Sequence, residues 1–191
     1  MTSRQERLPA PDRESMSPGQ LSALEEIEAG PRGALFGPFL PLIHSHDLMT
    51  CLSKTGEFLR FESKLDRRLF EMAILLIARR WDQQFEWSYH HPLALAAGLE
   101  PSIVEAIGVY ERPSQLDEPA GLLWDIEAEL HESRFLNEDV YARAVELLGS
   151  TAFVELIATL GYYTTLAMVM NAAHTPSPAE PALPHIDRAQ S

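Results

Sequence analysis

One cysteine, Cys51, is all the thiol chemistry that the 191 residues hold. A single cysteine excludes an intramolecular disulfide, a CxxC redox pair and a multi-thiolate zinc site, and it fits a reducing compartment. Basic residues are also scarce. Lys and Arg number 15 against 28 Asp and Glu, a net charge of −13, which repels phosphate backbones and anionic lipid surfaces at long range. Neither nucleic acid nor membrane is therefore expected as a partner. The residues from Met1 to Leu8 mix charges and lack the apolar run of an export signal, so a cytoplasmic location is expected. The longest apolar stretch, 152–170, approaches spanning length but carries Glu155, Gly161 and several threonines and tyrosines, which suits a buried helix. Also missing are HExxH, a Cys/His finger, an EF-hand loop, GxSxG, a phosphate-cradling glycine loop and a dinucleotide fingerprint. His44, His46, His90, His91, Glu71 and Glu86 are ligand types without a ligand frame, so no metal and no organic cofactor is expected.

What is present is enough apolar material, 46% of residues, for one core with tails at either end. Residues 1–16, rich in Arg, Glu, Ser and Pro, read as a flexible arm. Residues 173–191 read as a flexible tail in which Pro176, Pro178, Pro181 and Pro184 exclude regular helix. Between them, over 17–172, apolar residues recur at three and four and no alternating strand pattern occurs, which predicts an all-α domain. Ser17-Pro18 is an N-cap followed by proline at the first helical position, ahead of Leu21, Leu24 and Ile27. The Gly/Pro-rich connector from Gly33 to Pro41 has apolar residues that suit a loop packed on the core. Asp47 is the expected cap of the next helix. Further helices are predicted over 66–81, 82–97 with Gly98 as terminator, 101–110, 118–133, 138–148 and 152–172. Cys51, among helical apolar positions, reads as a small core residue.

Two segments carry candidate chemistry. In the helix over 66–81, positions 72–78 are apolar on every side and Glu71 opens that stretch. A carboxylate there needs a partner or takes up a proton; pairing with Arg67 or Arg68, or snorkelling to the surface, is the bland alternative. In the next helix Glu86 and His90 stand four apart and share a face, with Gln83 three before Glu86. Phe85, Trp87, Tyr89 and Leu93 flank them, so a carboxylate–imidazole pair there would be partly desolvated, with Glu86 orienting His90 as a general acid. A solvated helical surface pair is the competing reading. His91 competes with His90 for the role. Pro92 marks a bend or a pocket edge. Arg79, Arg80 and Trp81 are candidates for anion binding or pocket walls.

Taken together, Arg68-x-x-Glu71-x-Ala73 and Trp81-x(4)-Glu86-Trp87-x-x-His90-x-x-x-Ala94-x-x-x-Gly98-Leu99 resemble the carboxymuconolactone decarboxylase family, within the alkyl hydroperoxidase D-like (AhpD-like) group. Leu8-Pro-x-Pro, Arg32-Gly-x-x-x-Gly-Pro-Phe and Gly161-Tyr-Tyr extend the resemblance over most of 8–172. It implies an all-α helical bundle forming a homo-oligomer, trimer or hexamer, with the pocket near subunit contacts. In the hydroperoxidase branch a glutamate precedes CxxC and then histidine. Glu71 and His90 match the outer positions, while the cysteine positions fall on Gln83 and Glu86, so disulfide-based peroxide reduction does not carry over. The thiol-free branch implies a cofactor-free carboxy-lyase acting on a carboxylated lactone or similar small cyclic carboxylic acid. The resemblance points to His90, Glu86 and Glu71 as the catalytic set, with Gln83, Trp87, Trp81 and Arg80 lining the substrate. An isomerase or hydrolase on a similar acid, or a non-catalytic oligomeric accessory protein, remains the alternative.

Overall fold

Helix signals in the sequence become helices, several of them closed by a side-chain cap or a glycine. The computed structural model describes residues 5–186; the outermost parts of the expected arm and tail lie outside the described residues. Among the described residues there are helices and no strands, so the all-α expectation holds. The chain forms two compact units, 5–62 with 165–177 and 63–164 with 178–186.

In the first unit, α1 (Pro18–Ala29) starts at a complete capping box, Gln20 N–H donating to Ser17 Oγ and Ser17 N–H donating to Gln20 Oε1. The connector is packed as expected and includes a short helix, α2 (Phe39–Leu42), with Phe39 buried under the Arg32 guanidinium 4.3 Å above its ring. α3 (His46–Phe61) packs on α1. Its start differs from expectation: the N-cap is Ser45, without a side-chain cap bond, and Asp47 sits in the first turn beside His46 Nδ1 at 3.1 Å. Cys51 is also not in the core. The buried face of α3 is Met49, Ser53, Gly56 and Leu59, and position 51, two residues from both Met49 and Ser53, is turned about 200° away from each and is exposed. The arm residue Arg7 donates its N–H to Ala173 O at 2.8 Å.

The second unit is organised around α4 (Arg67–Arg80), started by Asp66, whose carboxylate accepts from the N–H groups of Arg68 and Leu69. Every residue from Leu69 to Arg79 is buried, because α5 (Gln84–Ala96), α6 (Pro101–Gly108) and α7 (Glu118–Glu132) all pack on this one helix. α5 runs through Pro92 and ends at Gly98, whose φ of +91° is the left-handed terminator anticipated. α8 (Glu138–Ala173) is interrupted at Gly149, φ +74° and ψ 159°, where two helices were expected. Its residues up to Thr164 belong to the second unit and the rest to the first. By length and composition α8 is apolar enough to cross a membrane, a test that core helices of soluble proteins also pass. Glu155 within it accepts from Ser63 Oγ at 2.8 Å and from Lys64 N–H at 2.6 Å.

α7 is locked to α4 through a buried acid. Glu127, fully buried, takes both arms of the Arg80 guanidinium at 2.9 and 3.0 Å and the Tyr110 hydroxyl at 3.1 Å. Burial first, and then the Glu127 carboxylate, push the Tyr110 hydroxyl well above the usual tyrosine range. The Arg80 guanidinium is held in its charged form by Glu127 against the opposing effect of burial. Removing one partner of such a pair strands a buried charge. Glu127→Ala is accordingly expected to lower the unfolding free energy by about 3–5 kcal/mol, measured by urea denaturation; a loss under about 1 kcal/mol would show that Arg80 reaches water when Glu127 is gone.

Candidate functional site

α4 and α5 lie side by side, and their facing polar residues meet inside the second unit. Glu71 of α4, fully buried, accepts from His90 Nδ1 of α5 at 2.7 Å. On its other oxygen it receives Arg67 Nη2 at 2.5 Å, one helical turn back, from a side chain that is 43% exposed. The remaining ring nitrogen of His90, Nε2, stands 3.5 Å from Glu86 Oε2. Glu86 and His90 are each 2% exposed. Sequence spacing puts Glu86 first among the partners of His90; the structure reverses that order, because α4 brings Glu71 to hydrogen-bond distance while the i,i+4 pair within α5 stays longer.

Aromatic edges close the array. The His90 ring meets Tyr89 at 5.1 Å and 65° and Tyr163 of α8 at 5.3 Å and 86°. Tyr163 in turn contacts Phe70 and Tyr162 edge-on. Tyr163, 3% exposed, has no signal in the sequence beyond the Gly161-Tyr-Tyr segment of the resemblance. The electrostatics of the array therefore act in apolar surroundings, where a carboxylate–imidazole contact is worth more than in water.

The four residues expected to line a substrate lie at the end of α4 and on the first turn of α5. Gln83 is the N-cap of α5, its Oε1 accepting the Phe85 N–H at 2.6 Å. Trp81 closes α4 as its C-cap, donating its N–H to Ile77 O at 3.0 Å. Arg80 is engaged with Glu127 and Tyr110. Trp87, 2% exposed, lies against His91, ring centroids 5.6 Å apart. Among the described residues no group of three His, Cys, Asp or Glu side chains has the arrangement of a metal site.

His91, the rival to His90, is partly exposed, and among the described residues its ring meets Trp87. Partial burial lowers its pKa from 6.5. Below that value the unfolded chain binds a proton that folded His91 resists, so the folded state loses stability as pH falls through about 6.5 toward the lowered value. In His91→Gln the gap between urea midpoints at about pH 7 and about pH 5.5 is expected to narrow; an unchanged gap would assign the acid sensitivity to other groups.

No family model matches the sequence, and no curated protein matches it significantly. Solved structures do match. The alkylhydroperoxidase AhpD core of an uncharacterized peroxidase-related protein from Ralstonia eutropha JMP134 superposes with a TM-score of 0.74 at 13% identity, covering 92% of this chain and 93% of that one. An uncharacterized peroxidase-related protein from Silicibacter sp. TM1040 gives a TM-score of 0.68 at 13% identity, covering 94% and 97%. At that identity the likeness is one of fold, and it extends over nearly the whole length of each chain: this protein has the helical architecture of the AhpD core.

Proposed function

We propose that the protein is a thiol-independent acid–base enzyme working through His90, and that it decarboxylates a small carboxylated lactone or related cyclic acid. The observation that carries this reading is the bracketing of one buried imidazole by two carboxylates, Glu71 at Nδ1 and Glu86 at Nε2. A neutral imidazole has one N–H and one lone pair. Facing carboxylate oxygens on both sides, the array accommodates one further proton, carried by the ring or by a carboxyl group, and that proton is the one available for transfer.

In the proposed reaction the bond between the ring carbon and the substrate carboxylate breaks, CO2 leaves, and the electron pair enters the conjugated lactone carbonyl as a dienolate. His90 then delivers its proton to carbon, and solvent restores it after product release. Glu71 holds the ring through Nδ1, Arg67 holds Glu71, and Glu86 stabilises the charged form of the ring. The peroxidase-related names of the structural neighbours do not transfer through thiols: two-thiol peroxide reduction needs a cysteine pair, and this chain has only Cys51, on α3.

A second reading draws support from the near-complete burial of the array, with Glu71 at 0% and Glu86 and His90 at 2% exposure. In it the same contacts are a core lock, and the protein is a non-catalytic binding or accessory member of the fold. One experiment separates the two: CO2 release and ultraviolet absorbance on a panel of carboxylated lactones and β-keto acids, with wild type and His90→Gln. Turnover that falls at least about a hundredfold in the variant supports the lyase. Equal turnover in both removes His90 from the mechanism, and absence of turnover by the folded wild type across the panel favours the accessory reading.

A further inference from the structure

The segment 178–184 carries no regular secondary structure, yet its backbone is held at several points. The side-chain amide of Gln84 on α5 reads it from both sides: Gln84 Oε1 accepts the Leu183 N–H at 3.0 Å, and Gln84 Nε2 donates to Pro181 O at 3.1 Å and Pro178 O at 3.3 Å. Ser88, one turn along α5 and 5% exposed, donates to the same two carbonyls at 3.0 and 3.3 Å. Arg79, 2% exposed, donates to Pro184 O and to Gly108 O, at 2.5 and 2.9 Å, and pairs with Asp82. A methyl group at Gly108 would lie 3.1 Å from Pro184 Cγ and 3.2 Å from Trp87 Cη2, so only glycine lets proline ring and indole meet there without displacement.

Two features make this more than a tail at rest on a surface. The three carbonyls that accept belong to Pro178, Pro181 and Pro184, spaced by three, so one edge of the segment is presented repeatedly to the donors. Each of these polar contacts goes to the backbone, which is how a groove recognises an extended proline-rich peptide rather than one side chain. Proline carbonyls suit the task, since the residue has no N–H of its own to satisfy.

We infer that Arg79, Gln84, Ser88 and Gly108 form a peptide-reading groove whose resident ligand is this chain's own segment 178–184, and that the bound segment acts as a strap fixing the helix that carries Glu86 and His90. Gln84 and Ser88 share one side of α5, while Glu86 and His90 share another. The contacts of the strap with Gln84 and Ser88 thus fall on a different side of α5 from Glu86 and His90. This inference is independent of the reaction proposed above, and its test reads no turnover.

Hydrogen exchange on the full-length chain compares wild type with Gln84→Ala/Ser88→Ala. The Leu183 amide and the amides of α5 are expected to exchange at least about tenfold faster in the variant, with α7 unchanged; identical exchange in both overturns the strap. A chain ending at Ser177 opens the groove, and a fluorescently labelled peptide of residues 176–186 is expected to bind it saturably by anisotropy and to restore α5 protection. A folded truncated chain that fails to bind, or that binds without regaining protection, overturns the inference. If truncation prevents folding, the double variant decides. A reordered peptide that lacks the three-residue proline spacing is expected to bind at least about tenfold more weakly; equal binding overturns the backbone-register reading.

Discussion

A carboxylate in an apolar core must be paired, and the pairing of Glu71 shapes the second unit. Leaving it without a partner would cost several kcal/mol. Arg67 arrives from its own helix and His90 from the neighbour, so the acid that opens the most buried stretch of the chain also fixes which face of α5 turns inward. Once His90 is held at Nδ1, Glu86 follows at Nε2 because it stands four residues earlier on the same helix. The ring then sits edge-on to Tyr89 and Tyr163, and the array is almost wholly buried.

The same logic recurs along α4. Its apolar middle, Met72 to Ala78, supplies the hydrophobic burial, roughly 1.5–3 kcal/mol for each large side chain. That burial is non-directional and tolerates a range of packings. Direction comes from the polar residues at either end, each addressed to a different neighbour: Glu71 to α5, Arg79 to Gly108 at the end of α6 and to the strap, Arg80 to Glu127 of α7. Each of these contacts joins groups whose misplacement would leave a buried charge exposed to apolar surroundings. The polar set therefore specifies the arrangement that the apolar set stabilises.

The likeness to AhpD-core structures at 13% identity is one of architecture, and the residues set on that architecture are this chain's own. Where the resemblance puts two thiols, this chain has Gln83 and Glu86. Gln83 caps the start of α5, and Glu86 adds a second carboxylate beside the imidazole. In this chain the buried polar contact between α4 and α5 is that of Glu71 with His90.

Local signals in the chain determined what neighbouring residues alone can decide. Ser17, Asp66 and Asp117 cap helices because their side-chain oxygens reach N–H groups two or three residues on, and Gly98 and Gly149 end or break helices because both adopt positive φ. The all-round apolar run after Glu71 marked a central helix, and the four-residue spacing of Glu86 and His90 marked a shared face. Tertiary structure decided the rest. Periodicity records which residues share a face of one helix, but not the rotation of that face against another helix. Glu71 thus outranks Glu86 at His90 from 19 residues away, Arg80 finds Glu127 across 47, and Pro184 meets Arg79 across 105. Cys51 turns outward for the same reason: its surroundings in sequence are apolar, but the side of α3 that packs is the one carrying Met49, Ser53, Gly56 and Leu59.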